Sequence, residues 1–427
     1  MRFDGSPAGR RLAPVLLAGG FFVLYLATCQ RGWCWQDGGL FQRRIFAGDI
    51  EGSFGIAAAH PVFIMLGMAV DSLCRALGGG IGARLFATNA SSALWMAVAV
   101  GFFAAAARRY SGSAKAAIIC AFMLGFAHMT WWMGTICEVH ALELAIFAVE
   151  LFVFVGLAKE SSFSMKRGNG GLALLAFVGG LHFSVHNLAL LALPVYAFVA
   201  WRIVKGRNRI GKLAGLAGLW AVGASPVLYL AVREFAKSGF LAAAKSVLVG
   251  SFGSEVLGVM PPSPKIFLLN SALAALSFAM PFAFLAAGKK PRERTPAMES
   301  LRIPLAFMLA IHAIFLVRYF VPDQAFFLLP TLALWLLLLS PRLSGERKPL
   351  RALVSIAIVG VLFPVLASDI ASAWRLDRGT HPGRDDVKYF ASPWKHAERS
   401  CDSYVVSHGL EDTWAGYLTA SEGDGSR

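Results

Sequence analysis

The run LAPVLLAGGFFVLYLATCQ (residues 12–30) is apolar over a length that spans a bilayer as one helix, and similar runs recur along the chain. The runs lack the alternation of apolar and polar residues that marks a half-buried strand. In lipid, only helices and closed barrels satisfy every backbone polar group internally. The sequence therefore predicts an all-α protein, a polytopic transmembrane helical bundle.

The composition of the whole chain agrees with this fold class. Of the 427 residues, 57% are hydrophobic and only 15% are charged, and the mean hydropathy is +0.60. Twelve hydrophobic segments are predicted, at residues 12–30, 56–77, 85–107, 116–133, 139–158, 171–184, 187–201, 213–232, 265–287, 301–318, 325–340 and 350–371.

The loops between these segments alternate between basic and sparsely charged ones, and basic loops tend to be cytoplasmic. This predicts about eleven crossings and a cytoplasmic N-terminus, with loop 31–60 and the tail from residue 372 outside. Segments 56–77 and 85–107 together connect an outer loop to an inner loop, so the two must cross the membrane an odd number of times between them. Either one of them is re-entrant or interfacial, or the two act as a broken unit.

The charge balance follows from the same loops. Lys and Arg number 40 against 25 Asp and Glu, and because they cluster between segments, a nucleic-acid partner is not expected.

The first run is predicted to be an uncleaved anchor, since no A-x-A cleavage site accompanies it. Two parts are predicted, a transmembrane domain at 1–371 and a short extracytoplasmic tail at 372–427, in a bacterial inner membrane with the tail periplasmic. The six cysteines form no CxxC pair and predict no disulfide.

Loop RGWCWQDGGLFQRRIFAGDIEGSFGIAAAH (31–60) carries the residues that indicate chemistry. Asp37 precedes two glycines just after the first segment, and His60 precedes Pro61 at the start of the second. A carboxylate at the membrane boundary suits general-base work on an acceptor hydroxyl. Asp37 also suits the N-cap of a short helix at 39–47, and both roles are compatible. His60 with Pro61 also suits a simple helix start.

Further polar residues fall on the same predicted outer face, although they come from separate regions of the chain. Ionisable groups near membrane spans are costly and often mark functional sites. The expected substrate-binding residues are His60, His140, His182, His186, Asn187, Arg318 and Asp323, and Glu138 is the second expected catalytic acid.

Each of these residues has a structural alternative. Glu138 is suited to binding a metal, to orienting a phosphate-bound cation or to pairing with Arg318. Its structural alternative is to serve as the negative charge at a helix N-terminus. His182 and His186, spaced i and i+4, suit metal ligation or donation to a phosphate or sugar. Arg318 suits a phosphate clamp or interfacial snorkelling. Glu150 is interpreted as a paired structural acid.

The order of several motifs resembles that of a known group of enzymes. An acidic first outer loop and the His-Pro pair are followed by EVHAL (138–142), GLHFSVHN (180–187), DQAFFLLP (323–330) and VVSHGLEDTWAGYL (405–418). This order resembles the GT-C superfamily of polytopic membrane glycosyltransferases. Within it, the chain looks most similar to the protein O-mannosyltransferase-like membrane family long described as a domain of unknown function.

The resemblance implies an inverting transfer of a sugar, a hexose such as mannose, from a polyprenyl-phosphate donor to a protein or glycan acceptor at the extracytoplasmic face. It implies Asp37 as the base and Glu138 as the second acidic position. His140 stands where another acid is found, so a divalent metal on Asp37 and Glu138 is left open and no cofactor is certain. Val62 follows His60-Pro61 where the mannosyltransferases usually have a second proline. The expected partners are the lipid-linked donor, the acceptor and membrane lipid.

Three other interpretations remain from the sequence. A transporter or lipid flippase would also have kinked helices and buried charges, but it would favour inverted repeats and acids near the bilayer midplane. A glycan polymerase or ligase would have a similar topology and a large, Arg-rich outer loop. A non-catalytic scaffold of the same fold is the third.

Overall fold

The computed structural model describes residues 7–34, 37–159, 165–256, 258, 264–287, 295–319, 321, 324–346 and 348–373. Every regular element in these ranges is helical, which confirms the predicted all-α class. The α-helices are α1 Pro7–Ala27, α2 Asp37–Ala47, α3 Pro61–Ala76, α4 Ile81–Ser111, α5 Ala114–Gly125, α6 His128–Met133, α7 Val139–Lys159, α8 Met165–Val185, α9 Ala189–Ile203, α10 Arg209–Gly223, α11 Ser225–Ser238, α12 Phe240–Leu248, α13 Gly253–Val256, α14 Pro264–Ala287, α15 Pro296–Arg318, α16 Leu329–Leu339 and α17 Pro349–Ala373. Short 3-10 turns occupy Ile56–Ala58, Phe326–Leu328 and Ser340–Gly345.

Four helices in the described ranges are long and apolar enough to cross a membrane, and the bent pair α10–α11 makes a fifth candidate. Shorter apolar helices accompany them: Leu12–Ala27, Ala114–Gly125, Gly170–Val185, Ala189–Ile203 and Pro349–Phe363. The predicted eleven crossings, the sidedness of the loops and the division at residue 371 stay predictions. The predicted tail lies outside the described residues from 374 onward.

Two predicted segments are each broken into two helices. Segment 116–133 divides at Phe126 and Ala127, and the buried Tyr25 hydroxyl donates to the Gly125 carbonyl at the end of α5, 2.7 Å away. Segment 213–232 bends by 80° between α10 and α11. Pro226 stands in the first turn of α11, and because proline has no N–H and restricts the residue before it, α10 does not continue.

The centre of the bundle is the packed pair α4 and α7. Helix α4 also contacts α1, α3 and α5, while α7 contacts α8, α15 and α16. The buried face of α4 is rich in alanine, which lets helices approach closely in a membrane bundle. Helices α10, α11, α12 and α17 instead carry many of the exposed large hydrophobic side chains. The central pair therefore forms the rigid frame on which the outer loops are held.

The start of α4 is joined to α3 by a buried ion pair that the sequence reading missed. Asp71 is fully buried, and its carboxylate accepts from Arg84 at 2.6 Å and from the half-exposed Arg75 at 2.8 Å. A buried carboxylate is stable only when its charge is paired and hydrogen-bonded. The pair thus fixes the α3–α4 hairpin, and with it the N-terminus of α3, where His60 lies.

We expect Asp71→Asn to lower the free energy of unfolding by about 3 kcal/mol, because it leaves the Arg84 guanidinium without its counter-charge in a buried place. Arg75→Gln is the matched control and should cost less than about 1 kcal/mol, since Asp71 keeps its ion pair with Arg84 in that variant. Thermal unfolding in detergent, followed by tryptophan fluorescence, measures both. Equal losses in the two variants would contradict this account of the hairpin.

Candidate functional site

The loop between α1 and α3, which carries Asp37, is held by one amide, that of Asn89 on α4. The Asn89 Oδ1 atom accepts three hydrogen bonds: from the Cys34 thiol at 3.1 Å, from Gln42 Nε2 at 3.1 Å and from the Cys137 backbone N–H at 2.9 Å. These donors belong to the loop after α1, to α2 and to the turn before α7. A single buried oxygen therefore joins three segments that are far apart in sequence.

The other end of the same amide completes the attachment. Asn89 Nδ2 donates to the carbonyls of Gln30 and Gly32, each at 3.0 Å. Gln42 Oε1 in turn accepts from the Cys34 backbone N–H at 2.8 Å. We call Asn89, Gln42 and the loop groups they bind the amide hub. The hub fixes the chain on both sides of residues 35 and 36, which lie outside the described residues.

The hub brings the two predicted catalytic acids to neighbouring positions. A Cβ atom on Gly38 would lie 2.9 Å from Cys34 Cβ and 3.0 Å from the Cys137 carbonyl oxygen, so the first turn of α2 packs directly on the turn before α7. Asp37 precedes Gly38 and is exposed, and Glu138 follows Cys137 and is partly exposed. Helix α2 begins at Asp37, two residues before the predicted start.

Glu138 also takes part in the start of α7. Its carboxylate Oε2 accepts from the Val139 backbone N–H at 2.9 Å, and its own N–H donates to Ser92 Oγ at 3.2 Å. The predicted structural role at a helix N-terminus is therefore present, and the expected catalytic role stays a prediction. Anionic groups are favoured at helix N-termini, where unpaired N–H groups point outward.

A buried arginine sets the second half of the same loop. Arg44 Nη2 donates to the Ala59 carbonyl at 2.7 Å, Nη1 donates to the Ala58 carbonyl at 3.3 Å, and Nε donates to the Asp49 backbone carbonyl at 3.2 Å. Burial lowers the pKa of Arg44 and the Asp49 carboxylate raises it. Arg44 thereby holds the 3-10 turn at Ile56–Ala58 and fixes the residue that follows it, His60.

His60 adopts a left-handed backbone conformation, with φ 48° and ψ 49°, which is uncommon outside glycine. Its Nδ1–H donates to the Val185 carbonyl at 2.8 Å, and its ring stacks on His186 with centroids 5.0 Å apart. Burial lowers the pKa of His60 to about 3, with smaller contributions from Val185, Arg44 and His140. At neutral pH the ring is therefore uncharged, and Nε2 carries a lone pair.

His186 has the opposite tautomer. Its Nδ1 accepts from the Leu188 backbone N–H at 3.1 Å, so in the neutral ring the proton is on Nε2. Burial, and then the neighbouring His60, His140 and His182, hold the pKa of His186 well below its ordinary value. His60 therefore presents an acceptor, whereas His186 presents a donor.

His140 completes a group of three rings. Its centroid lies 5.2 Å from that of His186 and 4.6 Å from that of Phe327, and Phe327 also meets His186 edge-on at 5.6 Å. We call His60, His140, His186 and Phe327 the histidine group. It combines the start of α3, the first turn of α7, the α8–α9 turn and the 3-10 turn before α16.

The remaining predicted residues are placed differently. Asn187 Nδ2 donates to the Val247 carbonyl at 2.8 Å and so fastens the end of α12 to the α8–α9 turn. His182 is buried inside the bundle, where its Nδ1 pairs with Glu150 at 3.0 Å, as expected for a structural acid at 150. Arg318 ends α15 with an exposed side chain, one residue before Tyr319, which contacts Phe327 at 4.9 Å. Asp323 lies outside the described residues.

The structure thus adds three positioning residues that the sequence reading left out, namely Arg44, Gln42 and Asn89. Asn89 gave a signal, because an asparagine inside the apolar segment 85–107 is costly unless it is hydrogen-bonded. Among the described residues, no group of three or more His, Cys, Asp or Glu side chains is arranged to hold a metal ion. The possible divalent metal on Asp37 and Glu138 stays a prediction, and we assign no step to a metal.

We expect Asn89→Ala to speed maleimide labelling of Cys34 at least tenfold, because the loop loses the amide that holds it and Cys34 is only 1% exposed in the native protein. Labelling is read by peptide mass spectrometry. Cys120 is the internal control: it is buried, it lies far from Cys34 in the sequence, and it should label no faster in the variant than in the native protein. Unchanged protection of Cys34 would show that the loop does not depend on the amide hub.

We expect His60→Gly to be more stable than His60→Ala by about 1 kcal/mol, because only glycine adopts the left-handed conformation without strain. Both variants lose the bond to Val185, so their difference isolates the backbone term. Thermal unfolding of the two purified variants gives the comparison. A more stable alanine variant would mean that residue 60 is not held in this conformation.

Comparisons with known proteins agree with this architecture. Residues 55–208 match the family model described as the protein O-mannosyl-transferase TMEM260 N-terminal domain, a range that contains His60, Glu138, His140, His182, His186 and Asn187. No curated protein matches the chain by sequence.

Among solved structures, ArnT from Cupriavidus metallidurans bound to undecaprenyl phosphate aligns with a TM-score of 0.61 at 17% identity, over 90% of this chain and 68% of ArnT. The apo form of ArnT gives 0.53 at 18% identity, over 89% and 67% of the two chains. The Archaeoglobus fulgidus oligosaccharyltransferase, in complex with Zn and sulfate, gives only 0.41 at 14% identity, over 91% and 53%. The chain therefore has the fold of ArnT, and its residues 55–208 match the family model of the protein O-mannosyl-transferase TMEM260 N-terminal domain.

Proposed function

We propose that this protein is a membrane glycosyltransferase that transfers a sugar, a hexose such as mannose, from a polyprenyl phosphate to a hydroxyl of a protein or glycan at the extracytoplasmic face. The observation that carries the proposal is the packing of Gly38 against Cys34 and Cys137, which brings the start of α2, where Asp37 lies, against the turn that precedes Glu138. The family match over 55–208 and the fold shared with a polyprenyl-phosphate-binding neighbour support it.

The proposed reaction is a single displacement with inversion. Asp37 accepts the proton of the acceptor hydroxyl as the oxygen attacks the anomeric carbon of the donor sugar. The bond between that carbon and the phosphate oxygen breaks, and polyprenyl phosphate leaves with the electron pair. The transition state of this displacement resembles an oxocarbenium ion, as in glycosidases. Asp37 is exposed at a helix start, so an acceptor reaches it from water.

The neighbouring groups suit the other parts of the donor. His186 Nε2–H suits a phosphate oxygen, whereas the lone pair on His60 Nε2 suits a sugar hydroxyl, because the two rings have opposite tautomers. Arg318 is one residue from Tyr319, which packs on Phe327, and its guanidinium suits the negative charge that develops on the leaving phosphate. Glu138, beside Asp37, suits orientation of the acceptor.

We expect Asp37→Asn to reduce transfer at least a hundredfold, because the amide cannot accept the hydroxyl proton. Purified protein in lipid is supplied with radiolabelled polyprenyl-phosphate sugars, mannose first, and the release of polyprenyl phosphate is measured. Asp49→Asn is the matched control: Asp49 is an exposed carboxylate of the same loop that accepts from the Glu51 and Gly52 N–H groups, and its variant should stay within about twofold.

Full activity of Asp37→Asn would show that another group is the base.

A transporter is the second candidate, and the observation that favours it is the set of carboxylates inside the bundle at Glu143 and Glu150. Unimpaired donor binding in both proteins, with no turnover of any donor by the wild type, would favour transport or a non-catalytic role over the proposed transferase.

A further inference from the structure

A second set of titratable side chains lies in the interior of the bundle, behind the histidine group. His140 Nδ1 donates to Glu143 Oε2 at 2.9 Å, and His182 Nδ1 donates to Glu150 Oε1 at 3.0 Å. The Tyr196 hydroxyl donates to Glu150 Oε2, also at 3.0 Å. We call these five residues the buried chain. They come from α7, α8 and α9, and the two carboxylates are 0% and 1% exposed.

The buried chain contains two carboxylates without the usual counter-charges. No Lys or Arg in the described part of the protein forms an ion pair with Glu143 or Glu150. An ionised carboxylate inside an apolar bundle is stable only when a cation and hydrogen bonds compensate it. The bonded imidazoles of His140 and His182 are the groups placed to supply that charge, each by holding a second proton.

Two further atoms of the buried chain have complementary needs. Glu143 Oε1 and His182 Nε2 are both buried and have no hydrogen-bond partner among the described residues. One is a carboxylate acceptor, and the other is a donor when the imidazole is charged. Glu143 also interacts electrostatically with His182. The Nδ1 atom of the nearby His312 is not the missing partner of either atom, because it already bonds the Met308 carbonyl at 2.9 Å. A water that reached both atoms would satisfy them.

We propose that the buried chain keeps His140 positively charged, so that the histidine group binds the phosphate of a polyprenyl lipid through His140. Glu143 is then a positioning residue that acts through His140. This inference rests on the proposed function, because it assigns the phosphate to the same site.

The surroundings of His140 make it the charge carrier of the histidine group. His186 and His60 face it from the α8–α9 turn and the start of α3, and both are neutral at pH 7 because burial lowers their pKa values. Glu143 faces it from its own helix, and Phe327 covers one edge. A charged donor binds phosphate more strongly than a neutral one, so His140 supplies the electrostatic part of recognition.

The test is the binding of polyprenyl monophosphate, without sugar, to protein in lipid nanodiscs. Glu143→Gln keeps an oxygen that accepts from His140 but removes the charge, and we expect about tenfold weaker binding, the loss of one charge-assisted bond. Glu143→Asp should recover most of the affinity. Glu299→Gln, at an exposed position in the first turn of α15, is the matched control and should bind as the wild type.

The outcomes separate the two proposals. If the wild type and Asp37→Asn bind the lipid and Glu143→Gln binds it equally well, the role of Glu143 is wrong and the proposed function stands. If the wild type does not bind it, the proposed donor is wrong. A measurement on unaltered protein covers the case in which Glu143→Gln fails to fold: residue-assigned histidine nitrogen NMR should show doubly protonated rings at His140 and His182 at neutral pH. A neutral His140 ring would overturn the inference.

Discussion

The hydrogen bonds of the Asn89 amide are the constraint on which the arrangement of the Asp37 loop and the turn before α7 depends. The groups that it binds are a backbone N–H, two backbone carbonyls, a thiol and a side-chain amide. All of them except the Gln42 amide on α2 lie in irregular chain next to the apolar bundle, where an unsatisfied polar group costs several kcal/mol. Because one residue of the rigid helix α4 satisfies all of them, the loop after α1 and the turn before α7 have a fixed separation.

Arg44 extends that constraint to the histidine group. Its guanidinium bonds the carbonyls that precede His60, and α2, on which it lies, begins at Asp37. The same short helix therefore carries the proposed base at one end and positions the strained histidine from the other. A left-handed conformation at a non-glycine residue is retained only where the surroundings determine it, and here Arg44, Val185 and Pro61 do so.

Sequence patterns predicted the class of the fold and the polar positions, but not their partners. Apolar runs give helices directly, whereas the break at Ala127 and the bend before Pro226 depend on local backbone geometry that hydropathy does not report. The i, i+4 spacing of His182 and His186 predicted two rings on one helix face, whereas α8 ends at Val185 and His186 lies in the turn that follows. The spacing could not tell that His182 points to Glu150 in the interior while His186 stacks on His60, because those contacts come from other helices.

The most direct test of this account is a cryo-electron microscopy structure of the protein in lipid with polyprenyl monophosphate, using a bound antibody fragment for alignment. The account predicts phosphate density beside His186 Nε2 and His140, on the side of the bundle where Asp37 adjoins Glu138. Phosphate density at the opposite end of the bundle, or an Asp37 separated from the turn that carries Glu138, would contradict it.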